Sequence, residues 1–163
     1  WLQGRQQSAE DLAGESMAAL RQIEWPLVDL RYALSCVLEV CLASPEYERH
    51  LPIIEEALGR LGRIARSFRF AQPSFFLYRG RHEWARGRWM QGKRDLQLSL
   101  RAARDSGSRY EQAQAHYWLG RLFLERSPSD AAVELKTALA LFESLGAVWD
   151  AAAVRAAQQP IKG

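Results

Sequence analysis

Apolar residues recur every three or four positions along most of this 163-residue chain, which is the spacing of an amphipathic helix. One clear run of such apolar positions is Leu27, Leu30, Leu34, Val37, Leu38 and Cys41. Another is Ala131, Leu135, Ala138, Leu139 and Phe142. The spacing predicts eight helices, at about residues 7–23, 27–43, 46–70, 74–90, 93–105, 109–125, 129–145 and 147–158.

Proline and glycine refine these boundaries. Pro52 lies inside the third predicted helix and should kink it or split off a short turn at 46–50. Gly107 and Gly146 each directly follow a predicted helix. Helices commonly end at such a position with a glycine in the left-handed backbone conformation. Pro128 follows Ser127 and is expected in the first turn of the seventh helix, where its missing N–H costs nothing.

The composition agrees with an all-α fold. Alanine and leucine supply 46 positions, whereas valine, isoleucine and threonine supply only 12. No Gly/Ser-rich linker divides the chain, so residues 1–163 are predicted to form one domain. The chain has no run of 18 apolar residues and no signal-peptide pattern, so no membrane contact is predicted. It begins at Trp1 without a methionine and is expected to be a fragment of a larger protein.

Two stretches of the chain resemble each other at a spacing of about 40 residues. Gly80 and Gly120 are 40 apart, and Gly107 and Gly146 are 39 apart. Each unit combines an aromatic-rich helix that contains a glycine with a second, leucine-rich helix. A fixed period of this length is typical of stacked helical repeats, because one repeat cannot bury its apolar face alone. The pattern favours a binding scaffold over a catalytic fold.

The segments 110–123 and 129–147 resemble a tetratricopeptide (TPR) repeat. The residues that match its characteristic positions are Leu119, Gly120, Phe123, Ala131 and Ala138. The period exceeds the roughly 34 residues of ordinary TPR repeats, and repeats that end in LFESLGA resemble the C-terminal arrays of large bacterial signalling ATPases, such as LuxR-type regulators and cyclase-linked ATPases. The resemblance implies a right-handed superhelix of antiparallel helix pairs, and a regulatory arm or scaffold.

In a TPR stack the first helix of each pair lines a concave groove. Carried over to this chain, that geometry makes five residues candidates for binding a partner: Tyr32, Arg81, Trp84, Tyr117 and Arg121. Arginine and aromatic side chains together suit a peptide that carries carboxylates, through bidentate pairing and cation–π contact. Arg81, Trp84 and Arg121 are expected to face the groove, with the arginines on the surface, whereas Trp89 and Trp118 are expected between helices.

Charge is distributed unevenly. Residues 60–109 carry 13 Lys and Arg against 3 Asp and Glu, whereas residues 1–59 carry 4 against 10. A basic middle segment predicts an acidic protein partner, or another domain of the parent chain. Nucleic-acid binding by residues 60–109, with Trp84 or Trp89 stacked on bases, remains open as an alternative. A small-molecule or peptide effector bound in the groove is a further alternative.

Catalytic and metal-binding patterns are not evident. Residues 87–93 spell GxxxxGK, but Arg94 follows where a phosphate-binding loop needs Ser or Thr, and both glycines fit a turn between helices. The three histidines lack metal-ligand spacing, so we predict no metal, no cofactor and no enzyme activity. Cys36 and Cys41 are five apart on one helix, too divergent for a disulfide, and both are expected to be buried. Free thiols favour a cytoplasmic location.

Overall fold

The computed structural model describes residues 6–22 and 27–158, and within them every regular element is helical. The prediction of an all-α fold is confirmed. The α-helices are α1 (Gln6–Gln22), α2 (Leu27–Ala43), α3 (Leu51–Ser67), α4 (Gln72–Ala85), α5 (Trp89–Asp105), α6 (Arg109–Phe123), α7 (Pro128–Ser144) and α8 (Val148–Gln158). Two 3₁₀ turns, Tyr47–His50 and Arg69–Ala71, flank α3.

The two largest boundary differences occur around α3 and at the end of α4. The predicted helix 46–70 is three pieces, since Pro52 lies in the first turn of α3 and a separate 3₁₀ turn precedes it, which is one of the two expected outcomes. Helix α4 ends at Ala85, whereas the periodicity predicted residue 90. The chain turns there because Gly87 takes a φ of 75°, a left-handed conformation that glycine adopts without strain.

The chain divides into two compact units, one up to Tyr78 and one from Arg79 onward. In the first unit α1 packs on α2 and α2 packs on α3. Its fully buried side chains include Met17, Leu34, Leu38, Ile54 and Leu61. Two polar contacts join α1 to later residues of the same unit: buried His50 lies 3.3 Å from Glu10, and Arg21 donates hydrogen bonds to Glu56 on α3.

In the second unit successive helices pack in chain order, α5 on α6, α6 on α7 and α7 on α8. Glycine allows two close approaches. A Cβ on Gly120 would lie 2.6 Å from the Cγ of Leu135, so α7 fits against α6 only where no side chain intervenes. A Cβ on Gly80 would lie 3.1 Å from the carbonyl oxygen of Gly92, which brings α4 and α5 close together.

Two sequence-based expectations are wrong. Gly92 is not a turn residue; it lies inside α5 and faces Gly80, so only Gly87 of the GxxxxGK pair forms a turn. Cys36 is exposed, while Cys41 is buried. Five residues of helix rotate the two thiols to different sides of α2, and only the Cys41 side faces the neighbouring helices.

Candidate binding site

Four of the five predicted site residues meet around one indole ring. Arg81 and Trp84 lie one turn apart on α4, and Tyr117 and Arg121 lie one turn apart on α6. The ring that they share is that of Trp118, which sequence reasoning assigned to the space between helices. We call these five residues, Arg81, Trp84, Tyr117, Trp118 and Arg121, the Trp118 cluster.

Arg81 is the buried cation of the cluster. The residue is only 3% exposed, and its guanidinium carbon lies 3.7 Å from the centre of the Trp118 ring. This separation is well within the range of a cation–π contact. The expectation that Arg81 lies on the open surface of a groove is therefore wrong. Arg81 supports the cluster from within by fixing the Trp118 ring.

The aromatic rings of the cluster meet edge to face. The Trp84 and Trp118 centroids are 6.4 Å apart with an interplanar angle of 69°. The Tyr117 and Trp118 centroids are 5.2 Å apart with an angle of 67°. Aromatic pairs favour this arrangement, because the positive edge of one ring meets the negative face of another. All three rings are half-buried, so part of each is accessible to a partner.

Arg121 is the accessible cation of the cluster. Its guanidinium carbon lies 5.8 Å from the ring centres of both Tyr117 and Trp118, and its Nη1 donates a hydrogen bond of 2.9 Å to the Tyr117 hydroxyl. Within residues 6–22 and 27–158 it makes no ion pair with a carboxylate. Its guanidinium is thus held in one place while most of its five N–H donors remain available.

Tyr32, the fifth predicted residue, belongs to the first unit and not to the Trp118 cluster. It is 56% exposed, and the guanidinium carbon of Arg31 lies 4.1 Å from its ring centre. Arg31 is buried and donates a hydrogen bond of 2.8 Å to the Ser74 hydroxyl. The first unit therefore repeats the pairing of a buried arginine with an aromatic ring, at a separate location.

A second group of cations and rings surrounds Trp89, and its cations were not predicted. The Trp89 and Phe123 rings are 6.2 Å apart, and the Trp89 Nε1–H donates to the Leu122 carbonyl oxygen at 3.4 Å. Lys93 and Arg126 both lie against the Trp89 ring. The contact between Trp89 and Lys93 could have been predicted from the sequence, because residues four apart on a helix are neighbours on its surface. Arg126 joins it from the turn after α6, which no local pattern indicates.

Two further features to consider in the described residues are a metal-binding group and a membrane-spanning helix. In residues 6–22 and 27–158 no three His, Cys, Asp or Glu side chains are grouped closely enough to hold a metal ion. None of the helices in the same ranges is both long and apolar enough to cross a membrane.

Comparisons of the chain with protein-family models, with curated proteins and with solved structures find no match. They therefore supply neither a family nor a ligand. What the chain binds has to be inferred from its own residues and their contacts.

Proposed function

We propose that this chain is a non-catalytic helical-repeat module of the TPR type, which binds a carboxylate-bearing segment of a protein or peptide at the Trp118 cluster. The observation that carries the proposal is the state of Arg121. Arg121 is a half-buried residue whose guanidinium is oriented by two aromatic rings and one hydroxyl, and no carboxylate in the described residues neutralises it.

The cluster suits an acidic peptide for two physical reasons. Arginine binds a carboxylate through parallel N–H···O bonds, and an oriented guanidinium loses less entropy on pairing than a mobile one. The exposed parts of Trp84, Tyr117 and Trp118 offer rigid apolar surface beside that charge. Aromatic and arginine side chains dominate the energetics of protein interfaces for the same reasons.

Nucleic-acid binding by residues 60–109 fits these contacts less well. Sequence-tolerant binders of single strands stack bases on accessible ring faces. In this structure the Trp84 ring already packs edge to face with Trp118. The cations of Lys93 and Arg126 lie on the Trp89 ring. Binding of an acidic peptide does not require a free ring face. It requires only the exposed edges of the rings in the Trp118 cluster and the charge of Arg121.

The module would serve as a scaffold or a regulatory arm. Its partner would be a separate acidic protein or an acidic segment of its own parent chain. The excess of 13 basic over 3 acidic residues in 60–109 would attract such a partner at long range.

A peptide-display selection tests the proposal. Random peptides are selected on the wild-type chain, and the enriched ones are then measured against Arg121→Gln. We expect enrichment of Asp and Glu, and affinity reduced roughly tenfold or more in the variant, which corresponds to about 1.4 kcal/mol. The matched control is Arg101→Gln, because Arg101 is an exposed arginine of α5 with no partner among the described residues.

Two results would count against this site. One is a selection that yields binders without acidic residues. The other is an equal loss of affinity in Arg101→Gln and Arg121→Gln, which would point to general charge attraction and not to the cluster.

A further inference from the structure

Lys93 is a half-buried residue whose ammonium group has no counter-ion in the described residues. Its Nζ lies 5.4 Å from the centre of the Trp89 ring and 5.3 Å from that of Phe123. It makes no hydrogen bond or ion pair with any residue in 6–22 and 27–158. Both rings lie within cation–π range of the ammonium group and hold it in place.

Arg126 brings a second cation to the same indole. Its guanidinium carbon lies 4.8 Å from the Trp89 ring centre, and in the described residues it too lacks an acidic partner. Its backbone is fixed by a hydrogen bond of 3.0 Å from its N–H to the carbonyl oxygen of Phe123. Two cations from distant parts of the sequence thus converge on Trp89, and both are oriented by aromatic rings.

We propose that Lys93 and Arg126, held on the rings of Trp89 and Phe123, form a binding site for the phosphate group of a phosphorylated peptide segment. A phosphomonoester carries close to two negative charges at neutral pH and three acceptor oxygens. An ammonium and a guanidinium together supply two positive charges and several donors. A single carboxylate would neutralise only one of the two cations.

This site differs from a phosphate-binding loop, although Lys93 is the lysine of the GxxxxGK sequence. Such a loop surrounds the phosphate with backbone N–H groups between a strand and a helix. Gly92 and Lys93 lie inside α5 instead, and Gly92 is packed against Gly80. The cations therefore act as side chains on a helical surface, without a glycine loop or a magnesium ligand after the lysine.

A peptide fits the site better than a nucleic acid does. The Trp89 ring has cations against it, and its N–H is bonded to the Leu122 carbonyl, so little of the indole remains for base stacking. Two cations supply the charge that a single phosphate group needs. They do not provide the row of phosphate contacts that a nucleic-acid backbone requires.

The Trp89 indole N–H is a direct reporter of occupancy, because it belongs to the ring that both cations contact. Its NMR signal is assigned with Trp89→Phe. The chain is then titrated at constant ionic strength, in phosphate-free buffer, with a short capped phosphoserine peptide of glycine and alanine. The unphosphorylated peptide, its glutamate version and a short single-stranded DNA are titrated in parallel.

We expect a saturable shift of the Trp89 signal with the phosphopeptide, and none with the unphosphorylated peptide. Lys93→Gln and Arg126→Gln should each weaken binding at least about fivefold. The control is Arg94→Gln, which removes the same charge from the adjacent exposed residue and should change affinity less than about twofold.

Four outcomes would overturn the proposal. They are no shift with the phosphopeptide, equal binding of the glutamate peptide, tighter binding of the DNA through the same two cations, and an equal loss in Arg94→Gln. None of them involves Arg121, so this test can fail while the acidic-peptide site at Trp118 stands, and the reverse also holds.

Discussion

The guanidinium carbon of Arg81 lies 3.7 Å from the centre of the Trp118 ring, and only 3% of the Arg81 residue is exposed. The contact joins α4 to α6 in the second unit. It makes Arg81 part of the structure of the candidate site, and it leaves Arg121 as the more accessible cation of the Trp118 cluster.

Arg81→Glu should destabilise the protein strongly. The substitution would put a carboxylate in a buried position against the negative face of the Trp118 indole. Disrupting a buried charged site in this way costs about 3 kcal/mol or more. Urea denaturation measures the change. Arg101→Glu is the control, because an exposed substitution normally stays within about 0.5 kcal/mol, and equal stability of the two variants would refute the burial of Arg81.

Gly120→Ala and Gly59→Ala should have opposite effects on stability. The alanine Cβ at 120 would lie 2.6 Å from the Cγ of Leu135, so α6 and α7 must separate or Leu135 must change rotamer, at a cost of about 1–3 kcal/mol. Gly59 is exposed within α3 and has nothing within 4 Å of its Cβ position. Alanine there should stabilise by roughly 0.5–1 kcal/mol through helix propensity. Thermal unfolding of both variants measures the sign of each change in stability. If only Gly59→Ala were destabilising, the close packing of α6 on α7 at Gly120 would be contradicted.

The helices could be predicted because their apolar spacing is local information. Helix α2 has the predicted bounds, and α7 and α8 differ from prediction by one residue at most. The end of α4 could not be predicted from periodicity, because the apolar pattern continues through Trp89 into the next helix. The positive φ of Gly87 marks the actual break.

The composition of the Trp118 cluster was largely predictable, but the role of each residue was not. Spacing on two helices put Arg81, Trp84, Tyr117 and Arg121 on related faces. Whether an arginine is buried depends on which ring lies across from it, and that is set by how α4 and α6 pack. Arg126 was missed for the same reason, since only the fold brings it to Trp89.

Arg21→Gln should raise the pKa of Glu56. Hydrogen bonds from Arg21 are the main cause that holds the pKa of the Glu56 carboxyl below its ordinary value, and the charges of Arg60 and Arg63 add to this. Because the folded pKa is lowered, the stabilisation is present above the unfolded pKa and is lost as the pH falls through the folded pKa. NMR titration of the Glu56 side chain measures the change. Arg49→Gln is the control, since Arg49 donates a hydrogen bond to Glu46 and not to Glu56. An equal rise of the Glu56 pKa in Arg49→Gln would contradict the role of Arg21.

The two thiols should react at very different rates. Cys36 is exposed on α2, whereas Cys41 is fully buried. Burial raises the pKa of the Cys41 thiol to about 11, with a smaller contribution from the charge of Glu10, so at pH 8 it is protonated as well as inaccessible. An aromatic disulfide reagent at pH 8 should therefore modify one thiol of the folded protein quickly and the second only after unfolding. Cys36→Ser should abolish the fast reaction; persistence of that reaction would place the reactive thiol at Cys41.

Cys41 should also make the protein less stable at alkaline pH. Its pKa is about 11 when folded against an ordinary value of 9.0, so between these values the unfolded chain loses the proton first. Stability contributed by the protonated thiol is thus complete below pH 9 and falls as the pH rises, with a slope approaching 1.4 kcal/mol per pH unit. Cys41→Val removes the titrating group and keeps an apolar side chain of similar size. The unfolding free energy of the wild type minus that of the variant, measured by urea denaturation at pH 8, 9, 10 and 11, should decrease steadily. A difference that stays constant over this range would show that the buried Cys41 thiol is not coupled to folding.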